Sequence, residues 1–218
     1  DGTKVFLNSG SEMRYPERFG KARREVFLKG EAWFEVAKDS AREFWVHAGA
    51  MDVKVLGTSF NVKAYERLET VATTLVEGSV EVACAGKSFQ IVPGEQFVYD
   101  KNNRVMDVRM VDTESYVSWK DGYYKFRQTT LEEIMETLSV WYGLNVFYVN
   151  ESAKQGEFTG KVKRYEDARM LLDKFEQTGD VVFDIKGNNV FITIKQKKPF
   201  AREWNSFLVK ARGMVWQS

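Results

Sequence analysis

The chain has 218 residues, enough for one large domain or two ordinary ones but too few for three self-sufficient cores. Thirty-two Lys and Arg stand against thirty-one Asp and Glu, which leaves no global field for a polyanion and argues against nucleic acid as the partner. One Cys (Cys84) and one His (His47) exclude an internal disulfide, a Cys/His zinc site and a Cys–His catalytic pair within the chain.

From Thr3 to about Val111, short runs of β-branched and aromatic residues are broken every ten or so positions by Gly, Asn, Asp or Lys. This pattern predicts eleven strands, at 5–7, 25–28, 32–36, 44–46, 52–56, 60–64, 70–76, 79–83, 89–92, 95–99 and 105–108. A phrase recurs within it, a glycine followed by polar residues and an apolar–polar–apolar run, at Gly30, Gly57, Gly78 and Gly94. The intervals are too unequal for a strict repeat, but each glycine can turn a corner before the next strand starts. A twisted solenoid-like wrap and an irregular β-sandwich would both use such corners.

The chemistry-bearing residues of this half are few. Acid/base catalysis at a glycosidic bond needs paired carboxylates, and Glu31, Glu35, Glu77, Glu81 and Glu95 are the candidates. Their alternation suits a solvated sheet face better than a cleft. His47 is expected at a strand end as a turn or surface residue, and Cys84 next to a hairpin tip as an incidental thiol. No Walker loop, dinucleotide fingerprint, EF-hand loop or Gly-x-Ser-x-Gly elbow is present, so no cofactor, metal or catalytic residue is expected.

After a connecting segment at 113–121 the period changes. Tyr124 and Phe126 alternate with Tyr123, Lys125 and Arg127, which is strand spacing. Leu131, Ile134, Met135, Leu138, Trp141 and Tyr142 then form a helical stripe, opened by the capping pair Thr130 and Glu133 and closed by Gly143. Strands follow at 144–149 and 158–162. A second helix has Ala168, Leu171, Leu172 and Phe175 on one face, Glu166 and Asp167 at its start and Gly179 at its end. Residues 181–185 and 190–194 flank Gly187-Asn188, a two-residue hairpin turn. The fold class is therefore α+β: an all-β domain over 1–112, a connector over 113–121, and a βαββαββ two-helix domain over 122–195. The tail, 196–218, is basic, and Trp204, Phe207, Leu208, Ala211 and Val215 would share one helical face. No run of 18 apolar residues occurs, and the start at Asp1 is neither an initiator Met nor a signal peptide, so a soluble fragment or processed chain is expected.

Several phrases match a known family in order. They are Tyr15-Pro16-Glu17-Arg18-Phe19, the run from Arg24 to Val36, the run from Val55 to Tyr65, Leu75-Val76-Glu77-Gly78-Ser79-Val80 and Pro93-Gly94-Glu95-Gln96. Together they resemble the periplasmic region of FecR-family anti-sigma regulators of the Bacteroidetes type. Trp119-Lys120-Asp121-Gly122, Phe126, Leu131 to Tyr142 and Phe158-Thr159-Gly160 resemble the same family's C-terminal domain, which is similar to the short N-terminal domain of secretins and TonB-dependent receptors. The resemblance implies a signal-receiving region of a single-pass inner-membrane regulator and no enzyme. Its partner would be the N-terminal signalling domain of a TonB-dependent outer-membrane receptor. An extracytoplasmic-function sigma factor would be reached only through a cytoplasmic segment that this sequence lacks, and a monomer is expected. Partner contact is expected at the strand 122–127, through Tyr123, Lys125 and Arg127, by addition of the partner's sheet to an exposed edge. The alternatives are a carbohydrate-binding or glycan-processing β protein, or a secretion-type scaffold.

Overall fold

The computed structural model describes residues 1–164 and 167–195; Glu166 and the basic tail predicted over 196–218 lie outside the described residues. The first half consists of eleven strands. They are β1 (Lys4–Leu7), β2 (Glu12–Arg14), β3 (Arg23–Glu35), β4 (Glu43–Ala48), β5 (Met51–Val55), β6 (Ser59–Ala64), β7 (Thr70–Glu77), β8 (Val80–Cys84), β9 (Lys87–Ile91), β10 (Glu95–Asp100) and β11 (Val105–Met110).

Strand β3 organises them. Its first half pairs in parallel with β4 and antiparallel with β2, and its second half pairs antiparallel with β6 and β1. Two sheets therefore share one strand: β3-β4-β5-β8-β9 on one side and β3-β6-β7-β10-β11 on the other. Their inward residues merge into one core. Phe34 stacks on Phe60 and meets Phe44 edge-on, while Phe89 and Phe97 touch across the far end. Of the two architectures left open by the sequence, this is the irregular sandwich.

The sequence splits β3 in two at Gly30, and the structure does not. Gly30 holds φ +98 inside a continuous strand, and a Cβ there would lie 2.4 Å from Ser11 Oγ and 2.8 Å from Ser11 Cα. The glycine is thus required by the close passage of the β1–β2 turn, not by a corner. Strand β2, three residues without an apolar alternation, was not expected. Gly78 and Gly94 do hold positive φ as the recurring phrase suggests, whereas Gly57 does not and instead makes room for Lys38.

The connector forms one helical turn, α1 (Glu114–Val117), and a 3₁₀ turn over Ser118–Asp121. Beyond it come β12 (Tyr123–Thr130), α2 (Leu131–Tyr142), β13 (Asn145–Tyr148), β14 (Glu157–Lys163), α3 (Ala168–Thr178), β15 (Val181–Lys186) and β16 (Asn189–Ile194). Thr130 caps α2 by accepting from the Glu133 amide, and Gly143 ends it at φ +65. Asp167 caps α3 through the amides of Arg169 and Met170. Gly179 ends α3 in extended backbone; it is glycine because a Cβ would lie 2.6 Å from the Phe158 ring. Strands β12 and β14 form an antiparallel pair, while β13 and β15 flank β16 in a separate three-stranded sheet. The inward faces of α2, α3 and both sheets build a second core around Leu131, Ile134, Leu138, Leu171, Phe175 and Ile192. The sandwich core and this one are distinct, so the molecule has two packed centres joined by a mostly polar seam.

Candidate partner-binding surfaces

The seam is built on the outward row of the β3-β6-β7-β10-β11 sheet. Here the pleat turns Glu31, Asn61 and Thr74 away from the sandwich core. Glu31 is only 7% exposed. Its two carboxylate oxygens accept from Asn8 Nδ2 at 2.7 Å and Asn61 Nδ2 at 2.8 Å. Burial pushes the Glu31 pKa above the usual carboxylate range, a rise that nearby Lys63 and the two amides partly offset. Asn61 Oδ1 in turn accepts from the indole N–H of Trp119 in the connector, at 3.1 Å.

Two further contacts cross the seam. Lys63 on β6 lies 3.7 Å from Glu136 on α2. Arg164, just past β14, donates to Ser9 Oγ at 2.7 Å, and its guanidinium lies 5.9 Å from the Trp119 ring centroid and 5.2 Å from that of Trp141. Beside these contacts a cleft of about 410 Å³ remains, with Glu69 on the sandwich side and Glu132, Glu133 and Glu136 on the helix side.

The residues expected to meet a partner occupy three different situations. The Tyr123 ring lies under Lys161 Nζ, 3.9 Å from its centroid. Lys125 is tied to Glu114 and lies 3.5 Å from Asp112, which fastens the connector to β12. Arg127 is exposed, with Asp112 at 3.9 Å. The outer edge of β12 is partly occupied as well, because Ser118 Oγ takes the Lys125 amide and Thr129 Oγ1 takes the Arg127 amide.

Another face of this unit is open. On the outward side of β13-β16-β15, Phe147 is 47% and Val149 61% exposed, beside Val182 at 39%. Phe147 stacks on Phe191 at 5.1 Å, and Lys186 lies over the Phe191 ring. This patch was not expected, yet the signal was present: Val182 and Phe191 are apolar at the outward positions of strands whose inward positions, Val181, Phe183, Val190 and Ile192, are apolar too.

The other candidates serve the fold. Of the five carboxylates singled out, Glu31 is buried among amides, Glu35 accepts from the Trp33 indole, Glu81 pairs with Lys54 at 2.5 Å and Glu95 takes the Val92 amide. Glu77 is exposed at the end of β7. His47 is the penultimate residue of β4, at the strand end as expected, half-buried and stacked on Phe27 at 4.8 Å with Asp52 at 2.7 Å. Cys84 faces the core, and burial raises its thiol pKa. Among the described residues no cluster of His, Cys, Asp and Glu could hold a metal ion, and no helix is long and apolar enough to cross a membrane.

A β-sandwich joined to a two-helix α+β unit, with apolar side chains exposed on one sheet face, places the chain among two-unit α+β proteins. Comparison with known proteins makes the class specific. The profile of the FecR protein matches residues 1–81 and that of the FecR C-terminal region matches residues 123–192, together well over half of the sequence. The chain belongs to the FecR family of regulators. Two crystal structures of a protein provisionally assigned as an anti-sigma factor, from Parabacteroides distasonis ATCC 8503, share its fold at TM-scores of 0.81 and 0.80. In each, sequence identity is 28% over 90% of this chain and 92% of that one. Among curated proteins none matches.

Proposed function

We propose that this chain is the periplasmic signal-receiving region of a membrane-spanning anti-sigma regulator, and that it binds the N-terminal signalling domain of a TonB-dependent outer-membrane receptor. In this reading the all-β domain covers 1–112, the connector 113–121 and the docking domain 122–195. The observation that carries the docking site is the exposed cluster of Phe147, Val149 and Val182 with Phe191 on the open face of this sheet, where Asn145, Asn189, Asp184 and Lys186 supply a polar surround. The partner covers this face. Edge strands β13 and β15 offer main-chain groups beside it. Tyr123 and Arg127, on the other sheet of the same unit, act as rim contacts, whereas Lys125 holds the connector in place. Signal would pass to an extracytoplasmic-function sigma factor through a cytoplasmic segment of the same regulator, with no bond made or broken.

Titration calorimetry of the chain against the purified N-terminal domain of the receptor encoded beside it tests the reading. Saturable binding is expected, lost in Phe147→Asp and weakened in Arg127→Glu, with unchanged circular dichroism in both. Binding that survives Phe147→Asp refutes the proposed face, and absence of binding by the unaltered chain refutes the partner.

A further inference from the structure

The backbone shows where the molecule divides. The last main-chain bond into the sandwich from this region is Val111 N–H to Gly94 C=O, at 2.9 Å. Among the described residues, most polar ties of the connector from Asp112 onward go to the two-helix unit or stay within the connector. Lys125 holds Asp112 and Glu114, Ser118 Oγ takes the Lys125 amide, and the Arg164 amide bonds Gly122 C=O. The exceptions are Trp119 on Asn61 and Lys120, whose Nζ lies over the Trp33 ring.

The contacts across the seam are therefore polar side-chain contacts: Arg164 with Ser9, Lys63 with Glu136 and Trp119 with Asn61, with Lys120 Nζ over the Trp33 ring. Among the described residues no buried apolar cluster spans it, since the two cores are separate. Groups of this kind regain hydrogen bonds from water when parted, so separation costs less than opening an apolar core, its main cost being exposure of Trp119 and Glu31. Across the cleft Glu69 on the sandwich side faces Glu133 and Glu136 on α2, a repulsion that opposes closure, and Lys63, Arg109 and Lys125 on the same walls offset it.

We propose that the seam is a latch: the connector and the two-helix unit swing together about the backbone between Val111 and Asp112, with Arg164 fastening the closed arrangement. Arg164 suits this task because one guanidinium joins three segments, Ser9 before β2, Trp119 in the connector and Trp141 on α2. The use of the latch in signalling rests on the docking reading above: a partner seated on the two-helix unit transmits information only by favouring one arrangement over the other.

The test needs no partner, so its failure and that of the docking reading are separable. Spin labels at Lys87→Cys on the β8–β9 hairpin and Asp173→Cys on α3, in the full chain carrying Cys84→Ala, report the distance between the units by pulsed electron spin resonance. A single closed distance is expected for the unaltered seam. Arg164→Gln should add a longer distance, with the closed-to-open ratio falling by roughly tenfold or more, the equivalent of one charge-assisted contact. Lys63→Gln acts through a different pair, should move the ratio in the same direction, and decides the matter if the Arg164 variant does not fold. If both variants keep native near-ultraviolet circular dichroism and the single closed distance, the seam is rigid and the latch is wrong.

Discussion

Replacing Asn61 by Ala removes two hydrogen bonds at once from a dry site. The Glu31 carboxylate loses the donor at 2.8 Å and the Trp119 indole loses its acceptor at 3.1 Å. A hydrogen bond to a charged group contributes about 1.5–3 kcal/mol, and a buried donor left unsatisfied costs about 1–3 kcal/mol, so a loss of about 3–5 kcal/mol is expected. Against a total of about 5–15 kcal/mol for an ordinary domain this is a large fraction. Urea unfolding followed by tryptophan emission reads it: at a slope of about 2 kcal/mol/M the midpoint falls by about 2 M. Trp119→Phe keeps most of the ring area and forfeits only the second contribution, about 1–3 kcal/mol. The double variant should cost less than the sum of the singles by about 1 kcal/mol, because both act on one bond. An Asn61→Ala protein within about 1 kcal/mol of the parent, or strict additivity with Trp119→Phe, would show that water reaches Glu31 and that the network is not the closed one described.

Burial raises the pKa of Glu31 above its unfolded value, so the folded state binds the proton more tightly, and stability from this group is present below the unfolded pKa and lost as pH rises through the folded one. Comparison with Glu31→Gln isolates the effect: urea midpoints at about pH 5 and about pH 7.5 should favour the parent more at the lower value, and the opposite trend would refute the assignment. Gly30→Ala combines positive φ with a Cβ inside contact distance of the Ser11 backbone, and should destabilise the sandwich by more than about 2 kcal/mol in the same unfolding assay. Thr130→Ala deletes the α2 cap that receives the Glu133 amide, with an expected loss of about 1 kcal/mol in thermal or urea unfolding.

What the sequence made visible follows from the range of the forces involved. Helix α2 was legible because Thr130, Glu133, the Leu131-to-Tyr142 stripe and Gly143 act within a few residues of one another. The Gly187 hairpin was legible for the same reason, with φ +60 at its first turn position. The continuity of β3 was hidden, since Gly30 marks a break unless one knows that Ser11 passes over it. The seam was invisible: Arg164 and Ser9 are 155 positions apart and Trp119 and Asn61 are 58 apart, and no local pattern links an arginine, a serine, an indole and an amide. Lys125 and Arg127 were placed correctly on an outward strand face. Their division of labour depends on Asp112 and Glu114 folding back beside them.

The sharing of β3 between two sheets has a kinetic side. Its thirteen residues bond to four other strands, of which β6 lies some thirty positions downstream, so neither sheet is complete until this strand has closed a long loop. Such non-local pairing places folding of the sandwich on the millisecond-to-second scale, slower than the helical segments that follow it in the chain. Main-chain amides of β3 should then exchange with deuterium only when the whole sandwich opens, making this strand the most protected stretch of the molecule.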